Sequence, residues 1–91
     1  MVIVRLFASF RDAVGQKSIE IDANTVEELI EKLIAKYNMI SSMLVESTEP
    51  LKLKPYNMIL INGRGVWLLN GLSTKLNADD VVSIFPPTGG G

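Results

Sequence analysis

Neither cysteine nor histidine occurs anywhere in this 91-residue chain. The first absence excludes disulfides, thiolate metal sites and cysteine nucleophiles. The second removes the commonest metal ligand and the commonest general base near neutral pH. A surplus of one charge is also missing: nine Lys and Arg stand against ten Asp and Glu, a net of −1. With no basic stripe along any segment, that balance gives no electrostatic reason to expect nucleic acid or an anionic membrane as partner. No apolar run approaches the length of a membrane span, and the N-terminus lacks the charged-then-apolar pattern of a signal peptide. A cytoplasmic domain is therefore expected. Asp, Glu, Lys and Tyr remain, but no constellation of them stands out. Chemistry is expected on this chain or with a partner, with no catalytic side chains of its own.

What is present is an apolar content of 47%, enough for one modest core and one domain. The most telling stretch is the end, Phe85-Pro86-Pro87-Thr88-Gly89-Gly90-Gly91. Glycine brings no side chain to bury and loses much entropy on ordering, so such a run is not a core element. It follows the strand-like run Val81-Val82-Ser83-Ile84-Phe85. Pro86 and Pro87 cannot donate to a ladder, and they hold the chain extended as it leaves. The expectation is a folded domain over 1–87 and a flexible glycine arm over 88–91. Such an arm suits threading a narrow channel in another protein, and it also suits a frayed terminus.

Along the body, Val2 to Ala8 reads as a central strand buried on much of both faces, with Arg5 its one charge. Ser9 to Ser18 reads as a connector with Phe10, Ala13 and Val14 tucked inward and a turn at Gly15. Ser18 to Asp22 alternates polar and apolar residues, as a half-exposed edge strand does. Thr25 and Glu28 make a capping box, and Val26, Leu29, Ile30, Leu33, Ile34 and Tyr37 make one apolar helical stripe. Met39 to Val45 fits either a second short helix or a packed loop. The polar, proline-bounded stretch from Glu46 to Pro55 is expected to be irregular, with a short edge strand at Leu51 to Lys54 as the variant. Asn57 to Ile61 is a third strand, Asn62-Gly63 a turn, and Val66 to Leu69 a short return strand or extended segment.

Strand, strand, helix, strand, short strand, strand, with the first and last strands as central neighbours, describes an α+β β-grasp. A mixed sheet would carry one main helix across one face. Five stretches carry a closer likeness: Val4-Arg5-Leu6-Phe7-Ala8, Thr25-Val26-Glu27-Glu28-Leu29, Ile61-Asn62-Gly63, Ala78-Asp79-Asp80-Val81-Val82 and the Phe85–Gly91 tail. Together they resemble the ubiquitin-like small subunit of molybdopterin synthase (MoaD-type), a sulfur-carrier family to which the thiamine-pathway carrier also belongs. Gly89 departs from the pattern, where a small residue with a side chain is more usual.

That resemblance implies a non-catalytic, sulfur-donating subunit of molybdenum or tungsten cofactor synthesis. An adenylating enzyme of the MoeB or ubiquitin-activating type would consume ATP to activate the Gly91 carboxylate. A thiocarboxylate would follow, and the large subunit of molybdopterin synthase would use its sulfur. Gly91 would react, and Gly89 and Gly90 would give access; neither a bound cofactor nor a metal is implied. The alternatives are a ubiquitin-like modifier, joined through its terminal glycine to target-protein lysines, and the thiamine-pathway carrier. Phe7, Trp67, Phe85, Pro86 and Pro87 are candidate partner contacts, with Phe10 and Leu69 as further apolar candidates. For Phe85 a place in the core comes first, and for Trp67 an interaction surface and a core rim are equally open.

Overall fold

Val2–Leu6 forms β1 in the computed structural model of the protein, which describes residues 1–87. The arm at 88–91, with Gly89, Gly90 and Gly91, lies outside the described residues. β1 pairs antiparallel with β2 (Ser18–Ile21) and parallel with β7 (Val81–Phe85). β7 pairs antiparallel with β5 (Met58–Ile61), and β5 with the two-residue β6 (Arg64–Gly65). The resulting order is β2-β1-β7-β5-β6, with the first and last strands side by side at the centre. A parallel pair needs a long crossover, and here nearly the whole chain supplies it.

The main helix α2 (Val26–Lys36) begins where its caps predict. Thr25 Oγ1 accepts from the Glu28 amide at 3.2 Å, while the Glu28 carboxylate accepts from the Asn24 amide at 2.6 Å. That return bond lands one residue earlier than in the standard capping box, and it still holds the entering chain. The stripe faces the sheet as its spacing requires: Val26, Leu29, Ile30 and Leu33 are buried, and Ile34 and Tyr37 are partly so. Beneath them lie Val2, Val4, Leu6, Ile59, Ile61, Val82 and Ile84.

Three readings change, and one open alternative resolves. Residues 9–14 form a short helix α1 (Ser9–Val14) in place of a connector, because burying Phe10 winds the chain into one and a half turns before Gly15 ends it at φ 82°. The open alternative after α2 resolves as helix α3 (Asn38–Leu44), anchored by Ile40 and Leu44. Residues 46–55 are more regular than expected. β3 (Val45–Thr48) and β4 (Leu51–Leu53) make a separate two-stranded sheet whose Val45 and Leu51 enter the core. Asn57 ties α3 to the following strand, donating from Nδ2 to the Met43 carbonyl at 2.9 Å. Val66–Leu68 is a 3-10 turn, not a strand, because Val66 turns inward after β6.

The fourth correction matters most for function. β1 is buried on one face only: Val2, Val4 and Leu6 point to the helices, whereas Ile3 is half-buried and Arg5 exposed. The helices α1, α2 and α3 all pack against the buried side, so among the described residues the opposite side of the sheet carries no second layer. One main helix across one face of a mixed sheet with a parallel central pair is the β-grasp that the element order predicts.

Candidate functional site on the open sheet face

Side chains of directly paired residues point to the same side of a sheet. The register therefore places Arg5, Ser83, Leu60 and Gly65 in one row of the open face, and Phe85 beside Met58 in the row where β7 ends. Phe7 closes that end: its ring stacks on Phe85 with centroids 4.1 Å apart and planes 10° from parallel. Phe85 is therefore not in the core, against the order of preference read from sequence. It is half-buried, on the open face, at the point of departure of the chain. Pro86 and Pro87 continue from it and share an open apolar cavity of about 340 Å³ with Tyr56, Met58 and Phe85.

Trp67 extends the same face at the other side of the sheet. A Cβ on Gly65 would lie 2.7 Å from its indole, so the ring rests directly on the Gly65 backbone. Gly65 thus acts as the seat of an indole that stays 57% exposed. The indole is exposed and also lines a cavity with the core residues Ile59 and Val66, so both readings of Trp67 have support in the structure. The structure brings Phe7, Phe85, Pro86 and Pro87 together at the exit of β7 and sets Trp67 on the same face two strands away. Phe10 is withdrawn from the candidates because it is fully buried, and Leu69 because it packs against the core.

Sequence reasoning missed Tyr56 and Met58, both substantially exposed. Met58-Ile59-Leu60-Ile61 is apolar throughout, so period-2 alternation is invisible there and nothing marks which pair faces out. It also missed the backbone at Ala8, which adopts φ 51° and ψ −124°. This is the first corner of a tight turn closed by the Phe10 amide donating to the Phe7 carbonyl at 3.1 Å. Glycine suits that corner and alanine is strained in it. The strained residue adjoins Phe7 and fixes the direction in which its strand ends.

The far end of the sheet is polar. Asp80 accepts from the Asn77 amide at 2.7 Å and from Asn62 Nδ2 at 3.0 Å, and Asn62 in turn accepts from the Val81 amide at 2.9 Å. The bonds from Asn77 and then Asn62 hold the Asp80 carboxyl below its ordinary pKa, against a small opposing effect of burial. This network fixes the turn into β7 and is remote from its exit. No group of metal-ligating side chains occurs among the described residues, and no helix there is long and apolar enough to cross a membrane.

An apolar sheet face left open beside the departing last strand, opposite a helix-covered core, defines a ubiquitin-like protein. The family is given by comparison: residues 4–91 match the ThiS family, and the chain belongs to it, among the ubiquitin-like sulfur carriers of ThiS and MoaD type. It is 43% identical over 91 residues to small archaeal modifier protein 3 of Haloferax volcanii, covering 97% of this chain and 96% of that one. Identity to the sulfur carrier protein CysO of Mycobacterium tuberculosis is 35% over 77 residues, covering 85% and 83% of the two chains. The solution structure of small archaeal modifier protein 1 from Methanosarcina acetivorans superimposes with a TM-score of 0.89 at 33% identity, over 99% of this chain and 95% of that one. A putative molybdopterin converting factor subunit 1 from Pyrococcus furiosus superimposes with a TM-score of 0.74 at 27% identity, over 94% and 95%.

Proposed function

We propose that this chain carries sulfur on the carboxyl of Gly91 for synthesis of the molybdenum or tungsten cofactor, in the cytoplasm where ATP is at hand. The observation that carries the reading is the junction at Phe85. The strand ends on a half-buried aromatic stack on the open face, two prolines stiffen the departure, and the family match runs through the glycines that follow. A protein docked on the stack would then receive Gly89, Gly90 and Gly91 as bare backbone.

A carboxylate is a poor electrophile. In the proposed first step the Gly91 carboxylate attacks the α-phosphorus of ATP held by an adenylating enzyme, and pyrophosphate leaves. A sulfur nucleophile then attacks the acyl carbon and AMP departs, leaving a thiocarboxylate for the large subunit of molybdopterin synthase. ATP belongs to the activating enzyme, and this chain binds no cofactor of its own. Gly90 and Gly91 supply backbone angles and slimness that no other residue has. Pro86 and Pro87 limit the freedom lost when the arm is inserted.

Incubation with the adenylating enzyme, ATP and a sulfur source, followed by intact mass, tests this directly. Exchange of one oxygen for sulfur adds about 16 Da. Gly90→Val should abolish that gain while the folded body still binds, because added branches widen the chain and restrict its backbone. Reaction of Gly90→Val at the unmodified rate would sink the threading argument. A second reading is favoured by the 43% identity to small archaeal modifier protein 3: the activated Gly91 is transferred to a lysine amine of a target protein. Activation is the same in both, and lysines bearing a Gly-Gly remnant would mark the second.

A further inference from the structure

Three cations gather where the open face ends. Arg5, Arg11 and Lys17 come from β1, α1 and the approach to β2, and with Phe7 they line a cavity of about 290 Å³. All three are exposed, and Arg5 places its guanidinium carbon 5.6 Å from the centre of the Phe7 ring. Among the described residues none of the three enters an ion pair or a side-chain hydrogen bond. The concentration is local. The other six Lys and Arg stand against ten Asp and Glu; of those acids Asp12 lies on α1 beside Arg11, and Glu20 lies on β2, exposed on the open face diagonal to Arg5. Asp79 and Asp80 precede β7 at the opposite end of the sheet, and Glu27, Glu28 and Glu31 ride on the helix layer. Three of the nine cations are thus concentrated at this end of the sheet, with Asp12 and Glu20 as the nearby acids and the remaining acids on other elements.

Solvated surface cations are common and contribute little singly. These differ in converging, without ion pairs among the described residues, on a cavity that Phe7 also lines, one member of the stack from which the tail departs. A protein seated on Phe7 and Phe85 covers them. Like charges held together repel in the free chain, and carboxylates brought opposite relieve that repulsion and supply bidentate partners for the two arginines. We infer that Arg5, Arg11 and Lys17 form an electrostatic docking site for a carboxylate-rich ridge on the protein that activates the tail. The cluster orients the encounter so that the exit of β7 arrives first. This rests on the tail activation proposed above, and it concerns the approach and not the acyl chemistry.

The test measures association of the adenylating enzyme with the full chain by stopped flow at about 50 and about 500 mM salt, conditions that respectively expose and screen surface charge. Arg5→Glu/Arg11→Glu/Lys17→Glu is compared with Lys36→Glu/Lys52→Glu/Lys75→Glu, which changes net charge equally at exposed positions away from the exit. The first should slow association by about 30-fold or more at low salt, shrinking to about threefold at high salt; the second should slow it by less than about fivefold. Adenylate yield at saturating enzyme should match the unmodified chain in both. Lys17→Glu and Arg11→Glu taken singly give the same readout, several-fold each, if the triple variant folds poorly. Equal slowing by the two sets, or none from the first, overturns the inference. So does comparable binding of a 20-nucleotide single-stranded RNA that the first set abolishes. Failure of the tail reaction itself appears as no adenylate from the unmodified chain, while its association rates remain measurable.

Discussion

The two faces of the five-stranded sheet are made from alternate residues of the same strands, and they differ in almost everything else. Toward the helices stand Val4, Leu6, Ile59, Val82 and Ile84, all at or near complete burial. Toward the open side stand Arg5, Met58, Leu60, Ser83 and Phe85, none of them buried. On the covered face each side chain is fixed by its neighbours, and a lost methylene leaves a void that the packed interior cannot refill. On the open face apolar groups gather around the exit of β7, with no layer above them among the described residues. Their contribution to folding is correspondingly small, and their use is in contact with another molecule.

The comparison breaks first, and most heavily, at Leu33. It lies mid-stripe on α2 with no exposure. Leu33→Ala should cost about 2–5 kcal/mol in denaturant unfolding, from lost transfer energy plus the cavity left behind. A loss well under 1 kcal/mol would mean that the covered face is not where stability resides.

Phe85→Ala probes the other face. Loss of the ring stacked on Phe7 should lower stability by about 1 kcal/mol, within the range for an aromatic pair. The enzyme concentration needed for half-maximal tail activation should rise about tenfold, as for the loss of an interface anchor. If stability falls as far as in Leu33→Ala while activation is untouched, the two faces do not divide the work as described.

Ala8→Gly sharpens the boundary between them. The alanine sits at φ 51° and ψ −124°, which costs of order 1 kcal/mol that glycine avoids, offset in part by the greater freedom of glycine when unfolded. A net gain of about 0.5 kcal/mol in unfolding is expected. A loss would show that the turn into α1 is held without strain.

The smallest effect belongs to the polar far end. Asp80 is held below its ordinary pKa when folded, chiefly by the Asn77 amide and then by Asn62. A depressed folded pKa contributes stability that is complete above the unfolded carboxylate range and is lost as pH falls through the folded value. Asp80→Asn should therefore remove a small part of the stability lost between neutral pH and about pH 3, with little change elsewhere. Parallel urea titrations at the two pH values check this, and identical acid sensitivity in both proteins would rule the network out as its source.

Legibility followed the range of the interactions. Thr25 and Glu28 announce the start of α2, and the spacing from Val26 to Tyr37 announces its buried face, because capping and helical periodicity act within a turn or two. Asn62-Gly63 announces its hairpin for the same reason, with φ 50° and 86° as such a turn requires. The helix at Ser9–Val14 was not legible, since six residues anchored by one buried Phe10 show no periodicity. Of the β3–β4 hairpin only the strand at Leu51 was offered, as a variant, and β3 was hidden, because its place depends on Val45 and Leu51 meeting a core built elsewhere. The apolar run Met58–Ile61 said strand but not which side.

By itself, then, the sequence determined that the chain has no cysteine or histidine chemistry, that one amphipathic helix packs on strands, and that an apolar strand runs through two prolines into glycines. Those are properties of composition and of neighbours in the chain. Only the tertiary structure decided which face of the sheet stays open, that Phe7 stacks on Phe85, and that Arg5, Arg11 and Lys17 share one cavity. Each of these depends on parallel pairing of the first and last strands and on all helices falling to one side. Alternation with period 2 says that a strand has two unlike faces, but only contacts between distant parts of the chain choose the one to be covered.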